Sequence, residues 1–139
     1  MRRRGEPRGQ GLVEFSLAII IFLAVFVGIV DMARAVFTFN GVSEAAREIT
    51  RETSVHPGTG AIGTSPETVA MVTTQRGLVQ NLSVTSYSCV DLAGDAVAGT
   101  CKPGDWVRVS VEATFTPVMP LLTALGPIVL SSVSSAEIQ

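Results

Sequence analysis

Side chains that carry chemistry are scarce in this 139-residue chain, which holds one histidine, one tryptophan, one tyrosine and two cysteines. His56 stands beside Pro57 and Gly58, and with no second histidine there is no zincin pattern and no His/Cys dyad. Cys89 and Cys101 form no metal framework without further ligands. The spacing of Asp91, Asp95 and Asp105 does not match a calcium loop, so these read as solvated loop acids. No catalytic site, metal or cofactor is expected, and the chain reads as a non-enzyme. Charge is scarce too, at 16% of residues against about 25% in an average soluble protein, whereas 47% are hydrophobic. What charge there is lies unevenly. Residues 1–9 set four arginines (Arg2, Arg3, Arg4, Arg8) against Glu6, a net +3, which leaves −5 for the rest of a chain whose total is −2. A mildly acidic body lacks the clustered Lys and Arg that phosphate binding requires, so nucleic acid is not expected as a partner.

The hydrophobic surplus is concentrated near the N-terminus. Residues 12–30 read LVEFSLAIIIFLAVFVGIV, nineteen positions that would span about 28 Å as a helix, close to the thickness of a bilayer's hydrocarbon core. The run is apolar on every side, and in lipid the helix is the only single-segment structure that satisfies its own backbone. The arginines before it fit the positive-inside rule. They predict a single-pass topology with the N-terminus cytoplasmic and residues from Asp31 onward exported. Glu14 is the exception within the run. A carboxylate at membrane depth is costly, which makes it a functional candidate; the plainer alternative is snorkelling to the headgroups.

The residues Arg8-Gly9-Gln10-Gly11-Leu12-Val13-Glu14-Phe15 resemble the start of TadE-like pseudopilins of the tight-adherence (type IVc, Flp-type) pilus system. The likeness extends loosely to Ala45-Ala46-Arg47-Glu48 and to Phe115-Thr116-Pro117. The resemblance implies a short basic leader ending at Gly9 and a prepilin peptidase that cuts before Gln10. Glu14 would then be the fifth mature residue and Phe15 the sixth. Gly11 is a rival cleavage point that would break this pattern. The resemblance further implies a structural role as a minor pilin, with the major pilin, other pseudopilins, the peptidase and the inner-membrane assembly platform as partners. It also implies that the exported body is too large for a bare major pilin.

The physical logic stands beside that likeness. Cleavage after Gly9 removes a net +3 and creates an α-amino group. Glu14 can pair with such a group on a neighbouring helix, and an unpaired buried charge would be strongly disfavoured. A competing reading is a secretory signal peptide, with residues 17–30 as its apolar region and Ala33-Arg34-Ala35 as its cleavage site, giving a mature start at Val36. A further alternative is an extracytoplasmic binding module held by an uncleaved anchor.

The expected architecture is α+β, a long transmembrane helix continuing as an amphipathic helix and packed on a small antiparallel sheet. The segments are a leader at 1–9, a transmembrane helix at 10–31, an amphipathic helix at 32–54, a linker at 55–65 and an exported body at 66–139. In the second helix, Met32, Val36, Phe39, Val42, Ala46 and Ile49 form a stripe at three- and four-residue steps. That stripe suits packing on the chain's own sheet or on a neighbouring helix. Glu44/Arg47 and Glu48/Arg51 are spaced for ion pairs, and Gly41 permits a kink or a close approach. The formal G-x-G-x-x-G at residues 58–63 follows a helix rather than a strand and is a loop. Thr64 with Glu67 suggests a capping box for a short helix carrying Val69, Val72 and Val79.

Residues 106–115 alternate, with Val107, Val109, Val111, Ala113 and Phe115 on one face. Weaker strands are predicted at 82–90 and 128–138. Cys89 and Cys101 flank a loop at 91–100. In an exported domain such a pair is best read as a disulfide, with free thiols as the alternative. Trp106 and Tyr87 suit core packing or a contact face, and Asn81-Leu82-Ser83 is a glycosylation sequon in form only.

Overall fold

The computed structural model describes residues 8–58, 60–91, 93–97, 101–124 and 126–139. Residues 1–7, which belong to the leader expected at 1–9, lie outside this set. One helix, α1 (Arg8–Val55), takes up 48 residues and runs unbroken through both the apolar run and the amphipathic stripe. At 1.5 Å per residue it is about 70 Å long. The helix is not interrupted at Gly41. The absent side chain instead admits a close neighbour, since a Cβ there would stand 2.9 Å from Val79 Cγ2.

Helix α2 (Pro66–Leu78) follows a short loop. Its N-cap is Ser65, one residue beyond the expected Thr64: the Ser65 hydroxyl accepts from the Thr68 amide at 3.2 Å. The Thr64 hydroxyl is occupied elsewhere, donating to the Ala61 carbonyl at 2.6 Å. With Pro66 at the first helical position, which has no amide hydrogen to satisfy, Ser65 is the better cap. Within the loop, Gly63 has φ +81° and lies against the Tyr87 ring, where a Cβ would come within 2.5 Å of Cζ. The glycine pattern there serves chain reversal and aromatic packing. Burial raises the Tyr87 phenol above its ordinary pKa, and the positive charge of Arg76 opposes the shift.

Strands β1 (Leu82–Val90), β2 (Ala96–Val97), β3 (Trp106–Phe115) and β4 (Ile128–Glu137) form an antiparallel sheet in the order β2-β1-β3-β4. The three longer strands fall where alternation places them. Strand β2 and the four-residue helix α3 (Pro120–Thr123) are additions that the sequence did not announce. A register shift between Val84 and Ser86 marks a bulge in β1.

The core lies between one face of β3 and the upper half of α1. Val107, Val109, Val111 and Ala113 are buried against Val42, Ala45, Ala46 and Ile49, with Val72 of α2 and Leu82 of β1 closing the sides. Strand β4 offers Ser132, Ser134 and Ala136 beside the inward residues of β3. Side chains this small let α1 lie close to the sheet. The polar groups on the helix's buried face are satisfied locally, as Thr50 and Thr53 donate to the carbonyls of Ala46 and Ile49 at 2.6 and 2.7 Å. The sulfurs of Cys89 and Cys101 are bonded, with Cα atoms 5.6 Å apart. This ties the end of β1 to the approach to β3.

Candidate functional site

The residues singled out for processing and assembly, Gly9, Gln10, Glu14 and Phe15, all lie on the first two turns of α1. Helical geometry sets Gln10 and Glu14 one above the other on one face, since they are four residues apart. All four are exposed, and a Cβ added at Gly9 or at Gly11 would meet nothing within 4 Å. The exposure continues along the helix. Phe15, Leu17, Ile20, Phe22, Val25 and Phe26 stand clear of the rest of the described chain, and the most apolar window of α1 is uncovered throughout. It is one helix long and apolar enough to cross a membrane.

The stripe expected along the second half of the helix divides in two. Val42, Ala46 and Ile49 are buried in the core, whereas Met32, Val36 and Phe39 are exposed. Above the boundary, the helix packs on its own sheet; below it, these side chains are about half covered at most. Of the expected ion pairs, Glu44 and Arg47 meet at 3.8 Å with both side chains largely exposed. Glu48 and Arg51 form no pair among the described residues. Glu52 pairs instead with His56, through Nδ1, at 2.9 Å.

At the junction between the two halves is an arrangement that spacing alone did not reveal. Asp31, the first residue past the apolar run, is buried to 2% exposure. Its Oδ2 accepts the amide hydrogens of Val118 and Met119 at 2.9 and 2.6 Å, while Oδ1 receives Arg34 Nη1 at 2.8 Å. The Arg34 guanidinium also lies over the Phe115 ring, 5.4 Å from its centroid. Charge-assisted bonds of this kind are about twice as strong as neutral ones. They fix the end of β3 and the start of α3 to one height on α1. The local signal was an Asp and an Arg three residues apart at the end of an apolar run; their partner, 87 residues away, carries no mark in the sequence. Beside the junction opens a cleft of about 600 Å³ lined by Val30, Arg34, Phe37, Leu78 and Phe115.

The remaining candidates lie apart from this junction. Asp91 Oδ1 accepts from the amides of Ala93 and Asp95, both at 2.9 Å, closing a turn. Trp106 is 37% exposed at the end of the sheet away from Phe115, and Tyr87 packs on Gly63. Among the described residues no cluster of His, Cys, Asp and Glu has the makings of a metal site.

Comparison with known proteins adds one similarity to this geometry. No curated protein and no solved structure matches the chain. A family model described as TadE-like protein matches residues 9–51. That interval begins at Gly9, takes in Glu14 and Ala45-Ala46-Arg47-Glu48, and stops before Phe115-Thr116-Pro117, whose looser likeness falls outside it. Residues 9–51 of the long helix that carries the candidate residues are therefore similar to TadE-like protein, and the small antiparallel body that follows lies outside the match.

Proposed function

We propose that this chain is a minor pilin, or pseudopilin, of a tight-adherence pilus or a related secretion apparatus, and that its role is structural rather than enzymatic. It is inserted once through the cytoplasmic membrane, with the body on the extracytoplasmic side. It is cut by a prepilin peptidase between Gly9 and Gln10, and recruited through α1 by the assembly platform into contact with a major pilin and other pseudopilins. The observation that carries this reading is the overlap of a TadE-like match with a helix half that has no cover of its own. An apolar surface left open along most of its length needs lipid or other helices around it.

Within that surface Glu14 is an assembly residue. After cleavage, the new ammonium of Gln10 on one helix and the Glu14 carboxylate on another neutralise each other, and the pairing sets the axial register between helices. Phe15 beside it adds apolar contact area. The exported body then remains available above the membrane.

The test is N-terminal sequencing of the native protein, together with Glu14→Leu. Processing at Gly9 gives a mature chain that starts at Gln10, whereas a start at Val36 identifies an ordinary signal peptide and a start at Met1 an uncut anchor. Glu14→Leu is expected to be inserted and cleaved normally but absent from the assembled fraction. Its normal incorporation would remove Glu14 from the mechanism.

A further inference from the structure

The junction at Asp31 places one end of the body at the level of the apolar run. The Asp31 carboxylate holds the amides of Val118 and Met119. One turn lower, a Cβ on Gly28 would lie 3.5 Å from Met119 Sδ, so Met119 reaches down beside the last turn of that run. Around this point the body is apolar and open. Val118 is 63% exposed, and Ile128 and Val129 at the start of β4 are exposed as well. Residues 116–130, TPVMPLLTALGPIVL, hold no charged side chain. At the opposite end of the sheet stand Asp91, Asp95, Lys102, Asp105, Arg108 and Glu137.

We propose that the β3–β4 connection, centred on Val118 and Met119, is a second membrane contact that rests in the outer leaflet of the bilayer beside α1. This rests on the reading of α1 as a membrane-spanning helix. A lipid surface is the occupant because the patch continues the uncovered surface of α1 at the same height. An irregular segment at that depth needs partners for its backbone groups, and five of its amides have them. Asp31 accepts two amides, Leu122 and Thr123 donate to the Met119 carbonyl at 2.9 and 3.0 Å, and Gly126 donates to the Thr123 carbonyl at 3.0 Å. The buried carboxylate thus serves two ends. It satisfies the amides of the connection, and it fixes the tilt of the body over the membrane.

The chain supplies its own control. Trp106 is the single tryptophan and sits at the far end of β3, nine residues from Phe115, a distance of about 30 Å in a strand. The full chain is reconstituted in phosphatidylcholine/phosphatidylglycerol vesicles, with and without lipids brominated near the top or near the end of the acyl chain. Trp106 is read in the unaltered protein. Val118→Trp, Val129→Trp and Phe22→Trp are each read in a Trp106→Phe background. The expected result is that Val118→Trp and Val129→Trp emit to the blue of Trp106 and lose most of their emission to the shallow bromines, while Trp106 loses almost none. Phe22→Trp, within α1, loses its emission to the deep bromines. If Phe22→Trp is quenched but the two connection reporters are not, the contact is refuted and the spanning helix stands. Blue-shifted but unquenched reporters would mean that protein, not lipid, covers the patch, which also overturns the proposal. An unquenched Phe22→Trp would remove the membrane reading and the contact with it.

Discussion

Residues 12–30 and residues 42–53 belong to the same unbroken helix, yet they meet opposite surroundings. The lower stretch is richer in large apolar side chains, including Ile19, Ile20, Ile21 and Phe22, and none of its most apolar window is buried. The upper stretch has smaller apolar residues, Val42, Ala45 and Ala46 among them, and buries them completely. Hydrophobicity alone therefore does not say which part of a helix forms a core. What separates the halves is pattern: an all-round apolar surface cannot be covered by one small sheet, whereas a stripe with polar flanks can. The body encloses the upper part of the stripe, from Val42 to Ile49, and leaves the cylinder to the membrane or to other helices.

That contrast can be broken most severely by placing a charge in the enclosed half. Ile49→Asp should cost the body more than about 4 kcal/mol, since it buries an unpaired carboxylate among Val107, Val109 and Val111. Loss of protease resistance in the body, with membrane retention under alkaline extraction unchanged, is the expected result. Phe22→Ala should do the reverse, leaving thermal unfolding of the body within about 0.5 kcal/mol of the unaltered chain. Equal effects from the two would show that the halves are not independent.

A smaller effect is expected from removing the bond between Cys89 and Cys101. The double change to serine should cost about 3 kcal/mol on the chain-entropy argument for so short a loop. Calorimetry should register it as a lower melting temperature for the body, with no change in insertion of α1. Alkylation before and after reduction would give equal masses if the bond were not formed in the native protein.

Smallest are the local contacts of the body. Ser65→Ala removes the side-chain cap of α2 and should lower stability by about 1 kcal/mol. Glu44→Ala removes an exposed pair at 3.8 Å and should be nearly silent, at most about 0.5 kcal/mol. Chemical denaturation of both variants would rank them; a Glu44 effect as large as that of Ser65 would mean that this helix face is covered by something other than solvent.

The features legible in advance share a physical basis, which is periodicity within a single segment. The apolar cylinder at residues 12–30, the alternation of Val107, Val109 and Val111, and the end of the helix before Pro57 each follow from neighbours in sequence. The cap of α2 was misplaced by one residue because Thr64 and Ser65 are equally able acceptors in isolation. Only Pro66 at the first helical position and the bond from Thr64 to Ala61 separate them. Strand β2 has two residues, too few for any alternation to register, and it pairs with Cys89 and Val90 across a turn. The stripe of α1 was visible along its whole length, but not the point where its cover ends.

The sequence by itself determined that a long apolar helix leads into an alternating β body, and that Glu14 stands out within that helix, because these are properties of spacing and of transfer from water. Tertiary structure alone decided where the body sits on the helix. Asp31 and the amides of Val118 and Met119 are 87 and 88 residues apart, and a carboxylate has no preference for particular backbone amides until the fold brings them within reach. Burial from water then makes that meeting strong, and with it the height and tilt of the body relative to the apolar run.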